Sequence, residues 1–164
     1  KLSQKIKTEL IKTLSNCSGH SGLAGGQYSD LTFENKNISK NNVIDMQKKK
    51  TGKLFGFCCE SIAIIKGEDI KKRNLLREIG LTIGLLFQIV DDLIDYKGDS
   101  KIIGKPTRSD IKKGKATLIN ILGYKESLNF AEKLKNKLEL KIKKYGNKAD
   151  SLLESLQFIL DRKY

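Results

Sequence analysis

Phe87-Gln88-Ile89-Val90-Asp91-Asp92-Leu93-Ile94-Asp95, followed by Asp99, is the stretch that decides how this chain folds. At about 100° per helical residue, with Gln88 at zero, Asp91, Asp92, Asp95 and Asp99 fall at roughly 300°, 40°, 340° and 20°. The five polar groups thus share one stripe, about a third of the circumference wide. The opposite arc carries Leu86, Phe87, Ile89, Val90, Leu93 and Ile94. Carboxylates one turn apart repel each other unless a cation lies among them. An acid stripe backed by an apolar face therefore predicts either a solvated acidic face or, with the apolar flank and Gln88 in its favour, a helix that binds metal.

Working outward, the 164 residues suit one domain or a large piece of one. Helical periodicity dominates, and few period-2 runs compete with it, so the expected class is all-α. Helices are predicted over about 3–15 (Ile6, Leu10, Ile11 and Leu14 in register), 42–65, 70–96, 116–122, 125–145 and 148–162. Lys66-Gly67-Glu68-Asp69 separates the second from the third, and Gly146-Asn147 caps the fifth. The glycine-dense run Ser18–Gln27 reads either as a loop or as a helix packed closely through its glycines. Gly80 and Gly84 flank the acid stripe, leaving room either for a substrate or for a neighbouring helix. Residues 97–115 read as a long loop rich in glycine and lysine.

The net charge of +13 raises a nucleic-acid reading. The basic residues are spread along the whole chain, however, and lack the interleaved aromatics that stack on bases, so no nucleic-acid partner is expected. The longest apolar stretch, Leu81–Val90, is too short to span a membrane. His20 is the only histidine, which excludes Ser-His-Asp chemistry. Cys17, Cys58 and Cys59 have neither metal-ligand nor disulfide spacing, fitting packing roles and a reducing, cytoplasmic setting.

Magnesium takes a few carboxylate oxygens and completes its shell with water and substrate phosphates. Asp91 and Asp95, one turn apart, can bracket one such ion. Lys48-Lys49-Lys50-Thr51-Gly52-Lys53 is either a surface charge run or, through Lys50 and Thr51, a grip on phosphate oxygens. Lys105 and Lys115 can close over the same anion.

Taken in order, Gly25-Gly26-Gln27 with Asp30-Leu31, Lys50-Thr51-Gly52, the Gln88–Asp95 stripe, and Gly98-Asp99 through Gly114-Lys115-Ala116-Thr117 resemble the trans-isoprenyl diphosphate synthases. The resemblance covers nearly the whole chain. It implies an isoprenoid-synthase helical bundle, of which residues 1–164 form the C-terminal half of a single domain. It also implies a prenyltransferase of the short-chain type, making farnesyl or geranylgeranyl diphosphate from an allylic diphosphate and isopentenyl diphosphate. By the same resemblance, Asp91, Asp92 and Asp95 hold Mg2+, with Mn2+ as a possible substitute. Lys50, Thr51, Gln88, Lys105 and Lys115 bind the diphosphate; Lys50, Thr51 and Gln88 are the expected catalytic residues, with Gln88 and the Thr51 backbone facing the reacting carbon. A cytoplasmic homodimer is expected.

Two departures stand out. Gln47 occupies a position that is usually histidine, and Asp91-Asp92 is the only adjacent aspartate pair. The family's first acidic motif is thus absent, so this chain alone is expected to be inactive. The alternatives are a non-catalytic partner subunit, a terpene-cyclase relative of the same fold or, more remotely, a basic nucleic-acid-binding protein.

Overall fold

A computed structural model describes residues 1–97, 110 and 114–161. All secondary structure among them is helical, as the periodicity predicts. The chain divides into two compact units: Lys1–Asp30 with Asp45–Leu85, and Leu31–Ile44 with Leu86–Tyr164.

The first unit contains α1 (Gln4–Ser18) and α4 (Lys53–Lys66), which pack together. Ser3 caps α1 by accepting the Ile6 N–H at 3.3 Å. The inward face of α1 is only partly the expected aliphatic one, with Ile6 and Leu10 half-buried. Ile11 and Leu14 are exposed, whereas Glu9 and Thr13 are half-buried and Cys17 is buried. The reason is an ion pair: Glu9 Oε1 accepts from Arg73 Nη2 at 2.9 Å and fixes the rotation of the helix. Cys58 is exposed, so it does not fill the packing role expected of it.

The glycine-rich run is part loop and part helix, since α2 begins at Leu23 and runs to Thr32. A Cβ on Gly26 would stand 2.2 Å from the Lys50 backbone nitrogen, so only glycine lets α2 approach there. The helix predicted over 42–65 starts at Lys40. It comprises α3 (Lys40–Gln47), a π-helical turn (Lys48–Gly52) and α4. It ends where Gly67 turns left-handed (φ 68°), giving its N–H to Ile64 at 3.1 Å while Glu68 bonds Ala63 at 2.9 Å.

Asp69 then caps α5 (Ile70–Lys97) by accepting the Lys72 N–H at 2.8 Å. Gly80 and Gly84 prove to be packing residues. A Cβ on Gly80 would lie 2.3 Å from the Phe55 carbonyl oxygen, and one on Gly84 2.6 Å from the Gly52 Cα. Two Gly-x-x-x-Gly faces, 52/56 and 80/84, let the backbones touch, and no space is left for a substrate there.

The second unit continues with α6 (Leu118–Leu122), α7 (Tyr124–Ile142), a 3₁₀ stretch (Lys143–Ala149) and α8 (Asp150–Asp161). Thr117 caps α6 at Asn120 N. Gly146, at φ 61°, breaks the path between α7 and α8 where the Gly-Asn pair predicts a stop. Leu86, Ile89, Val90 and Leu93 of α5 are buried here, as are Leu118, Leu138, Ile142, Leu156 and Ile159. No helix among the described residues is long and apolar enough to cross a membrane.

Candidate active site

In the first unit, Lys50 sits in the π-helical turn Lys48–Gly52, closed by Lys53 N–H bonding the Lys48 carbonyl. Such turns widen a helix by one residue and recur at functional positions. The Lys50 ammonium lies 2.6 Å from Asp30 Oδ2, and Asp30 is itself buried. The sequence places Asp30 in a motif without giving it a role; the structure pairs it with Lys50. The signal for that pairing is its spacing: Gly26 and Asp30 are one turn apart on α2, and Gly26 is where α2 meets the Lys50 backbone. Thr51 is half-buried, while Gln47, in the position usually histidine, is 3% exposed.

In the second unit, Gln88, Asp91, Asp92 and Asp95 project from the C-terminal half of α5. The stripe is more enclosed than a solvated acidic face. Asp92 is 5% and Asp95 9% exposed, while Asp91 and Gln88 are half-buried. Gln88 Nε2 donates to Asp92 Oδ1 at 2.9 Å. Burial pushes the Asp92 carboxyl up to about 7. The Gln88 amide opposes that rise, Asp110 and Asp91 add to it, and Lys115 opposes it. Asp95 Oδ2 accepts the backbone N–H of Asp110 at 3.1 Å, and the Lys115 ammonium pairs with Asp110 Oδ1 at 2.8 Å. Lys105 and Asp99 lie outside the described residues.

Among the described residues, no three acidic, histidine or cysteine side chains gather as a ready-made metal cage. The acidic side chains that α5 offers in the stripe, Asp91, Asp92 and Asp95, all carry hard carboxylate oxygens. That set fits a magnesium-class ion that keeps most of its shell for water and phosphate.

The polyprenyl synthetase family model matches residues 1–156, and the chain belongs to that family. It is 33% identical to the farnesyl diphosphate synthase of Geobacillus stearothermophilus over 133 residues, covering 79% of this chain and 45% of that protein. It is 38% identical over 117 residues to a short chain isoprenyl diphosphate synthase of Methanocaldococcus jannaschii, covering 71% and 35%. Among solved structures, a geranyltransferase of Helicobacter pylori complexed with magnesium and isoprenyl diphosphate superposes with a TM-score of 0.82 at 31% identity. That match covers 98% of this chain and 52% of the other. The chain thus spans about half the length of the relatives it matches.

Proposed function

We propose that the full-length protein condenses an allylic diphosphate with isopentenyl diphosphate, making farnesyl or geranylgeranyl diphosphate. The observation that carries this reading is the enclosed stripe of Gln88, Asp91, Asp92 and Asp95 within a chain of this family. Asp91 and Asp95 hold Mg2+ (or Mn2+) from this half, with Asp92 as a further ligand. When bound, the metal neutralises diphosphate charge and so favours departure of the leaving group.

The chain's own residues supply the rest. Asp30 holds the Lys50 ammonium in place, and Lys50 and Thr51 bind diphosphate oxygens by charge-assisted bonds. Lys115, held by Asp110, adds positive charge that is fixed before the reaction begins and costs no reorganisation during it; Lys105 is assigned to the same diphosphate by the family resemblance alone. The Gln88 side chain faces the allylic carbon and donates to Asp92, which holds that carboxyl in place. No histidine base is required, since the departing diphosphate takes the proton lost from the condensation product. The proposal is made for the full-length protein, because this chain spans about half the length of the relatives it matches. The reading includes a homodimer in the cytoplasm, tested by light scattering and by cell fractionation.

Incubating the full-length protein with isopentenyl and dimethylallyl diphosphates and Mg2+ is expected to yield C15 or C20 diphosphate. A folded protein that yields none overturns the proposal. Asp91→Ala is expected to lower turnover by at least about a thousandfold, through loss of charge stabilisation at the leaving group; near-normal turnover removes Asp91 from the metal site.

A further inference from the structure

We infer that Asn35, in the turn between α2 and α3, is a positioning residue for Lys115 and Asp95. Asn35 is the only non-glycine residue with positive φ among the described residues, at 56°. That conformation costs most side chains about 1 kcal/mol or more, and asparagine tolerates it better than most. Its backbone N–H donates to the Gly114 carbonyl at 2.8 Å.

The contact is close on the side-chain face as well. Gly114 has φ 64°, and a Cβ there would lie 1.9 Å from Asn35 Oδ1 and 2.6 Å from its Cγ. The Asn35 amide, Oδ1 nearest, is therefore seated against Gly114, so two residues of positive φ are in direct contact.

This contact sets the position of the next residue, Lys115. Lys115 gives its backbone N–H to the Asp110 carbonyl at 3.0 Å and its ammonium to Asp110 Oδ1 at 2.8 Å. Asn120 Nδ2 holds the Lys115 carbonyl at 2.7 Å from the other side. Asp110 in turn passes its backbone N–H to Asp95 Oδ2 at 3.1 Å, occupying one oxygen and fixing where the other points. A continuous path of contacts runs from Asn35 through Gly114, Lys115 and Asp110 to Asp95, all within the second unit.

A residue in this place touches no substrate. It works by deciding where a lysine and a carboxylate stand before any ligand arrives. Supporting contacts of this kind are commonly worth about ten- to a hundredfold in metal affinity. The consequence for turnover rests on the prenyl-transfer reading, but the clamp itself does not.

The test compares Asn35→Ala and Asn35→Gly in the full-length protein. Glycine keeps the positive φ and the backbone bond to Gly114; alanine strains both. The first readout is amide exchange at Asp110 and Lys115 in the metal-free protein. The second is titration with Mn2+ and inorganic diphosphate, followed by calorimetry.

Asn35→Ala is expected to speed exchange at both amides and to weaken Mn2+-diphosphate binding about tenfold, with the urea midpoint nearly unchanged. Asn35→Gly is expected to recover most of both losses. Wild-type exchange and affinity in Asn35→Ala overturn the inference. A loss matched by an equal drop in global stability, and not recovered by glycine, overturns it also, because the residue is then merely structural. Prenyl product from the wild-type protein is assayed separately, so failure of the proposed function leaves the exchange result decisive for the clamp.

Discussion

Glu60 on α4 and Asp92 on α5 are both carboxyls hidden from solvent, 0% and 5% exposed, yet their surroundings treat them in opposite ways. Glu60 has its counter-charges built in. Arg73 donates to Oε1 from Nε at 3.2 Å and from Nη2 at 3.0 Å, and Arg77 donates to both oxygens. Burial alone raises the Glu60 pKa, but the Arg77 and Arg73 bonds and charges outweigh it and hold the group below its ordinary value. Asp92 is buried among Asp91, Asp110 and a neutral amide, and rises to about 7. One region satisfies its buried charge with its own chain. The other gathers negative charge that a cation from outside would satisfy.

The largest effect is expected from substitutions that exchange these situations. Glu60→Ala strands the Arg77 guanidinium and should cost about 3–5 kcal/mol of stability in urea denaturation. Asp92→Asn should instead stabilise the metal-free protein at pH 7, by no more than about 4 kcal/mol, the worth of three pKa units. A clear loss in Asp92→Asn would break the contrast.

Acidity sharpens it further, because the two groups tilt stability in opposite directions. Glu60, lowered in the folded state, contributes stability that is present above its unfolded pKa and lost as pH falls through its folded value. Asp92, raised in the folded state, contributes stability that is present below about pH 4 and lost as pH rises towards 7. Metal-free urea midpoints between about pH 3 and 8 are expected to decline on both sides. Asp92→Asn should abolish only the decline on the neutral side.

Asp30 with Lys50 is the intermediate case, a pair with side chains 9% and 27% exposed. Asp30→Asn is expected to cost about 1 kcal/mol of stability and to weaken binding of inorganic diphosphate severalfold by calorimetry. Unchanged diphosphate affinity would make the pair purely structural. The smallest effect concerns neighbouring thiols. Burial pushes Cys59 up to about 11 and also raises Cys17, whereas Cys58 is exposed. Iodoacetamide at about pH 7.5 should therefore label Cys58 first, as read by peptide mass spectrometry.

The helices were legible because their signals are local. Ser3, Asp69 and Thr117 cap them, Gly67 and Gly146 end them, and the apolar arc of α5 is buried where its period requires. The acid stripe was legible for the same reason, as a pattern within a single helix. Glu60 was not, because its arginine partners stand 13 and 17 residues away with no period linking them. The inward face of α1 was legible only at Ile6 and Leu10, because Glu9 reaches Arg73 across 64 residues. The glycines at 26, 80 and 84 were ambiguous until the backbones opposite them were known.

By itself the sequence determined the helical class, the approximate span of most helices, the family and the stripe of Gln88, Asp91, Asp92 and Asp95. Helical period and end-capping are written within a few residues of where they act. Only the tertiary structure decided that Glu60 is neutralised while Asp92 is pushed towards 7, that Asp30 holds Lys50, and that Asn35 is seated on Gly114. A charge's partner and a glycine's neighbour come from distant parts of the chain, and burial is a property of the packed whole.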